Sequence, residues 1–298
     1  MDRGKLRACL GAVFVNIMWG LSFIGSKSAM RAGFGTFSLI TVRFVTASLA
    51  LGIAACVLKK GLRIKARDIP LILLSSATGI TIYFWFELNG LRHTSSATAA
   101  LIIAAIPVLT LVTGSILHRK RQGLAAWAGA AVSLFGVYLV VSSGGEGDSF
   151  AGVLYMLGAC ACWVAYSEIT QVLLQRIDNF TLTFWQSVFA AAMFFPLCLT
   201  ENVPWTDMPL SAWLWACVFL GLICSSACYI LYNSAIEHLS PEGSALFLNL
   251  NPISAAVGGY LLLGEDLSAR QIIGGAIILV SLTCAAMVKR PEERGKSA

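Results

Sequence analysis

Charge is what this sequence has least of. Of its 298 residues, 12% are Asp, Glu, Lys or Arg and 57% are hydrophobic, whereas a soluble domain carries about 25% charged residues. So few charges cannot cover a surface that faces water. A soluble enzyme and a soluble nucleic-acid binder are therefore excluded. Histidine is scarcer still. The three present, His93, His118 and His238, fall at the ends of apolar stretches and do not form a metal set. Catalytic signatures are missing: there is no His-Glu-x-x-His, no Gly-x-Ser-x-Gly and no phosphate-binding Walker loop. No enzymatic activity, catalytic residue, cofactor or metal is expected, and a nucleotide-driven pump acting alone is disfavoured. No basic segment is interleaved with aromatics, so nucleic acid is not an expected partner.

What is present is apolar length. Mean hydropathy is +0.78. The charges and histidines divide the chain into ten windows: 8–26, 44–58, 69–86, 94–117, 122–145, 149–167, 179–200, 208–236, 243–264 and 271–288. All but 44–58 reach about 18 residues, enough to cross roughly 30 Å of hydrocarbon as helix. The short one extends back through Arg43 to Gly35. The runs are continuously apolar, not alternating, which argues against a membrane β-barrel. The expected fold class is all-α: a polytopic membrane protein with ten transmembrane helices. The first window follows Arg3, Lys5 and Arg7 and resembles a signal peptide. It is too long for one, it carries Trp19 and Phe23, and it is read as a retained span. The 27 glycines suit close helix packing in lipid. All nine cysteines lie in apolar stretches. Cys160-Ala161-Cys162 is no metal pair, because positions two apart on a helix point to nearly opposite sides.

The net charge of +6 has meaning only loop by loop. Basic residues gather in Arg3–Arg7, Lys59–Arg67, Arg119–Arg121 and Lys289–Lys296, which ten spans place on one side. Basic loops face the cytoplasm, so both termini are expected there. A shift of 145 lays Gly90–His93 on Ala235–His238, Leu101 on Leu246, Pro107 on Pro252, Gly114 on Gly259 and Gly129 on Gly274. A shift of 144 lays Trp19 on Trp163, and one of 143 lays Arg43 on Gln186. Residues 1–145 hold 15 basic and 3 acidic residues, and residues 146–298 hold 6 and 12. Two five-helix repeats, 1–145 and 146–298, account for this, with residues 142–148 as linker. Five is odd, so the second copy enters the membrane inverted. Equivalent loops then face opposite sides and carry opposite charge. Inverted repeats around a midplane site are a physical signature of secondary transport.

Four segments carry a resemblance: Trp19-Gly20-Leu21-Ser22-Phe23 with Lys27, Arg43-Phe44, Ala97–Pro107, and Leu263-Gly264-Glu265-Asp266. In that order they resemble the drug/metabolite transporter superfamily, EamA type, over essentially the whole chain. One departure is His118-Arg119-Lys120-Arg121, where an acidic turn is common in the family. Within it, the sequence is most similar to bacterial exporters of amino acids, including aromatic ones. The resemblance implies export of small metabolites without naming one.

Ionisable groups inside spans usually face a cavity or a partner. Here they are Lys27, Arg43, Glu87 and Glu168. Lys27 and Arg43 can snorkel, and for the deeper Arg43 a carboxylate or helix carbonyls are the expected partners rather than a ligand. Tyr83 with Glu87, and Tyr229 with Asn233, are i, i+4 pairs that share a face. Tyr232 is the repeat equivalent of Glu87. One of Glu87 and Glu168 is expected to bind a proton or a substrate ammonium, with a structural hydrogen bond as the plainer role. Trp19 and Phe23, and Trp163 and Tyr166, form aromatic stripes that suit an apolar side chain and attract an ammonium. They also suit packing or an interfacial belt. Phe247, Asn249 and Asn251 stand beside Pro252, and Pro107 stands at the matching place of the other half. Both prolines are expected to break a helix and act as hinges. Binding polarity would come from Ser22, Asn233, Asn249 and Asn251. The expected activity is alternating-access export of amino acids or similar metabolites. A multidrug or amphiphile exporter is the alternative within the class, and a channel or intramembrane enzyme the alternative outside it. Protons, lipid and a small-molecule substrate are the expected partners. The driving force and oligomeric state stay open.

Overall fold

In the computed structural model, residues 3–93, 102–103, 105–117, 123–141, 149–263 and 269–287 are described. Among them every regular element is helical. α1 (Arg3–Arg31) and α2 (Thr36–Val57) are continuous rods. α3 (Ile69–Ser76) runs through a π-helical stretch, Ala77–Ile82, into α4 (Tyr83–His93). α5 (Ile106–Leu117), α6 (Leu124–Val141), α7 (Phe150–Leu174) and α8 (Asn179–Cys198) follow. α9 (Leu210–Trp213) passes through a second π-helical stretch, Leu214–Ala227, into α10 (Cys228–Ala245). A 3-10 turn, Leu246–Asn249, leads to α11 (Leu250–Leu263), and α12 (Ala269–Met287) ends the described chain.

Six of the described helical runs are long and apolar enough to cross a membrane, and Ile106–Leu117 and Trp127–Gly136 are shorter apolar helices. One of the six, Leu210–Ala255, is broken at Ser240, whose φ of 69° and ψ of 167° lie outside the helical region. Large apolar side chains such as Leu49, Ile53, Ile116, Leu124, Phe150 and Leu261 stand exposed. Lipid is the solvent that makes this stable. The protein is a multi-pass membrane protein.

The packing sets helices early in the chain against helices late in it. α2 lies along α8, and α6 lies along α12. α1 packs on α10 and α11, while α7 packs on α4 and α5. Small residues allow the closest approaches. A Cβ at Gly20 would come within 2.6 Å of the Asn251 carbonyl, so α1 and α11 touch almost backbone to backbone.

Loop contacts sort the helix ends into groups. The Glu201 carboxylate accepts from the Phe37 N–H at 2.9 Å and the Ser38 N–H at 2.8 Å, capping the N-terminus of α2 from beyond the end of α8. Anionic oxygens are favoured there because the first helical N–H groups lack partners. The Ser149 N–H donates to the His93 carbonyl at 3.0 Å, joining the end of α4 to the start of α7. At the other end of α2, Lys60 pairs with Asp178 at 2.6 Å, and Trp185 Nε1 donates to the Leu62 carbonyl at 2.9 Å. Asp178 also caps α8 by accepting from the Thr181 N–H at 3.3 Å. Partial burial raises the Asp178 pKa, but Lys60 and Thr181 outweigh it and hold the carboxyl below its ordinary value.

Candidate functional site

Both π-helical stretches stand immediately before the residues that form the centre. A π-helical turn adds a residue to the helical repeat and re-aims the side chains that follow. After the first come Tyr83, Phe84 and Glu87. After the second come Tyr229, Tyr232 and Asn233. Gly79 lies inside the first stretch, where a Cβ would fall 2.2 Å from the Tyr166 ring. Its lack of a side chain lets that ring lie against the backbone.

The result is a cage of aromatic rings in contact. Trp19 meets Trp163 edge-on at 5.4 Å and lies 5.5 Å from Tyr229 and 5.2 Å from Tyr232. Trp163 touches Tyr83 at 5.0 Å, Tyr166 at 5.2 Å and Tyr232 at 5.4 Å. These separations are typical of favourable edge-to-face and tilted pairs. Both indole N–H groups are tied. Trp19 Nε1 donates to the Cys224 carbonyl in the second π-helical stretch at 3.0 Å, and Trp163 Nε1 to Tyr232 Oη at 3.0 Å.

Two polar groupings flank the cage. In the neutral one, Tyr166 Oη donates to Asn233 Oδ1 at 2.6 Å, and Asn233 Nδ2 donates to Thr183 Oγ1 and Gln186 Oε1, both at 3.0 Å. Gln186 Nε2 donates to Ser75 Oγ at 2.9 Å and Thr170 Oγ1 at 3.2 Å. All are essentially buried. In the charged grouping, Tyr83 Oη donates to Glu87 Oε1 at 3.0 Å. Arg43 Nε donates to Ser225 Oγ at 3.2 Å, and its guanidinium carbon lies 5.4 Å over the Phe84 ring. Arg43 and Glu87 are each only 6% exposed.

The expected residues divide accordingly. Trp19, Tyr83, Glu87, Trp163, Tyr166, Tyr229, Tyr232 and Asn233 come together, with Arg43 beside them. Arg43 meets a hydroxyl and a ring face, where a carboxylate or helix carbonyls were expected. Ser22 lies in the same stretch of α1 but donates to its own helix, at the Trp19 carbonyl, 2.7 Å away. Glu168 is buried in α7. Asn249 and Asn251 belong to another region beside α1 and α6. Asn249 Nδ2 donates to Ser133 Oγ at 2.6 Å, while the Oδ1 atoms of both asparagines are buried without a hydrogen-bond partner among the described residues. Phe247 is half-buried in the 3-10 turn. The side chains of Phe23 and Lys27 lie outside the described residues, as do residues 142–148, 118–122 and 264–268.

The prolines do not interrupt helices where the sequence expected. Pro107 is the second residue of α5 and Pro252 the third of α11. Pro in a first turn loses no helical hydrogen bond, since those N–H groups have no intrahelical acceptor. The break in that region lies earlier, at Ser240 and the Leu246–Asn249 turn. Glu242, which sequence reasoning passed over, is buried just after this break and accepts from Ser240 Oγ. The uncharged window beginning at 243 hid it. Gln186, Thr183 and Ser75 were equally invisible as a network, because uncharged polar residues are common in membrane helices.

The sequence profile of the EamA-like transporter family matches residues 6–142 and again residues 150–287. The chain belongs to the EamA-like transporter family. Among similar proteins, a probable terminal-alkyne amino-acid exporter of Streptantibioticus cattleyicolor is 28% identical over 91% of this chain and 90% of its own length. An uncharacterized transporter of Archaeoglobus fulgidus is 24% identical, over 89% of this chain and 93% of that protein. One of Bacillus subtilis is 24% identical, over 92% and 91%. A solved crystal structure, 19% identical, superposes with a TM-score of 0.78 over 95% of this chain and 99% of that one, which bears on the fold alone. The named relatives are transporters. With several spans and a central cage, transport of a small molecule is the coarse function these findings carry.

Proposed function

We propose that this EamA-family transporter exports amino acids, those with neutral or aromatic side chains foremost, or similar small metabolites by alternating access. It does so across the bacterial inner membrane as a secondary carrier. The chain crosses ten times, with both termini cytoplasmic and residues 146–298 inverted relative to residues 1–145. Helix pairing supports this arrangement. In ten-span counting, span one on span eight mirrors span six on span three, and spans two and seven, like five and ten, pair with each other. The loop contacts agree with strict alternation. Loops joined by Glu201 and by Ser149 to His93 fall on one side, and the Lys60–Asp178 pair falls on the other.

The observation that carries the reading is the cage itself. Its rings come from α1, α2 and α4 of one profile match and from α7 and α10 of the other. A pocket shared by two bundles is what rocking one against the other would expose alternately. The contact of its rings favours a carrier over an open channel. Aromatic walls suit an apolar side chain, and Glu87 or Glu168 suits an ammonium or a coupling proton. Pro107 and Pro252, at the starts of α5 and α11, are the corresponding hinge points.

The test is counterflow of labelled neutral amino acids in proteoliposomes, with dye extrusion in parallel and tags on both termini in cells. Saturable amino-acid exchange with both ends cytoplasmic is the expected result. Dye extrusion without amino-acid exchange would assign an amphiphile exporter instead. Termini on opposite faces would end the inverted-repeat scheme.

A further inference from the structure

We propose that Arg43 and Glu87 form a two-ended clamp for a zwitterion, Arg43 taking the α-carboxylate of an amino acid and Glu87 its α-ammonium. The inference rests on the amino-acid reading above and gives that site its recognition chemistry.

The two charges are buried, opposite in sign and near enough to attract one another without touching. Each is 6% exposed, yet neither forms an ion pair with the other or with any other described residue. Burying a guanidinium without a carboxylate in contact is unfavourable. Arg43 offsets little of that. It makes one hydrogen bond, Nε to Ser225 Oγ, and its remaining N–H groups have no partner among the described residues. The Phe84 ring beneath it, 5.4 Å away, orients the guanidinium plane without satisfying those donors. Glu87 is in a matching position. Oε1 accepts from Tyr83, and Oε2 has no donor among the described residues.

Both groups address the same surface of α4. Glu87 stands three residues beyond Phe84 and four beyond Tyr83, so all three share a face. Arg43 lies over Phe84, and Tyr83 touches both Phe84 at 5.3 Å and Trp163 at 5.0 Å. Arg43 thus meets the α4 wall of the cage about one helical turn before Glu87. A carboxylate fits a guanidinium bidentately. An ammonium fits the free Glu87 oxygen and the faces of Tyr83 and Trp163. The side chain then lies among Trp19, Tyr229 and Tyr232. The neutral grouping has no spare amide donor, because Asn233 gives its amide hydrogens to Thr183 and Gln186, and Gln186 gives its own to Ser75 and Thr170.

Full-length protein in proteoliposomes tests this with labelled L-phenylalanine and L-leucine, competed by phenylalaninamide, which lacks the carboxylate, and by N-acetylphenylalanine, which lacks the ammonium. The wild type is expected to prefer phenylalanine over either analogue by about thirtyfold or more, the ordinary loss when one partner of a buried charge contact is removed. Arg43→Gln is expected to abolish the preference over the amide only, and Glu87→Gln the preference over the acetylated form only. Arg43→Lys keeps an acid-over-amide preference, so it decides the matter should Arg43→Gln fail to fold. Equal losses for phenylalanine and its amide in Arg43→Gln, or no preference in folded Arg43→Lys, would overturn the clamp. Saturable amino-acid transport without discrimination by the wild type also overturns the clamp and leaves the amino-acid reading standing. No amino-acid transport by the wild type ends both.

Discussion

A shift of 143 residues lays Arg43 on Gln186, and each donates to a serine within the other profile match. Arg43 reaches Ser225, and Gln186 reaches Ser75. Beyond that bond they differ. Gln186 sits in a network that spans α3, α7, α8 and α10 and uses up its donors. Among the described residues Arg43 has one hydrogen bond, a ring face and spare donors. A satisfied buried network rigidifies, whereas an under-satisfied buried charge stores an interaction that something else can complete. The comparison assigns stability to the neutral side and recognition to the charged side.

The sharpest way to break it is to exchange the roles. Asn233→Leu strips three hydrogen bonds from the neutral network and is expected to lower unfolding stability by about 2 kcal/mol or more. Arg43→Gln is expected to leave stability unchanged or raised, because a buried guanidinium with no carboxylate in contact is costly to keep desolvated. Thermal unfolding in detergent ranks the two, and the reverse order would refute the division. Gly79→Ala pushes a Cβ into the Tyr166 ring and so strains the same network from another helix. A loss of about 1–3 kcal/mol is expected by overpacking, read in the same melts.

Away from the centre the contrast shrinks. Glu201→Gln keeps the shape of the α2 cap but removes its charge, and a loss of about 0.5–1 kcal/mol is expected. Lys60→Ala removes a pair whose partners are 39% and 49% exposed, and a change within about 0.5 kcal/mol that fades in salt is expected. Because the Asp178 carboxyl is held below its ordinary value of 3.8, its small contribution is present above that pH and is lost as pH falls through the lowered value. Melts of the wild type and Lys60→Ala from pH 6 down to pH 3 should converge if that sign is right.

Much of this was legible in the chain. A shift of 144 marked Trp19 and Trp163 as repeat equivalents, and in the fold the two rings meet at 5.4 Å. The face shared by Tyr83 and Glu87 came from i, i+4 spacing and is a hydrogen bond at 3.0 Å. Such features depend on local periodicity, which a sequence carries. Arg43 was harder. Its partner lies 182 residues away on a π-helical stretch that no propensity marks. Pro107 and Pro252 stand in first turns where helix interruptions were expected, because a proline signals a helix boundary without saying which side of it the proline occupies. Glu242 was missed because a charge near a loop looks solvated until the loop is seen to be buried.

The sequence by itself determined the solvent. With 12% charge and apolar runs of bilayer length, this chain satisfies its backbone only as helices in lipid, and its two profile matches declare its family. Tertiary structure alone decided which buried polar groups are saturated and which are left wanting. Hydrogen-bond satisfaction depends on distances of about 3 Å between helices far apart in the chain, and no pattern along one strand of sequence encodes that.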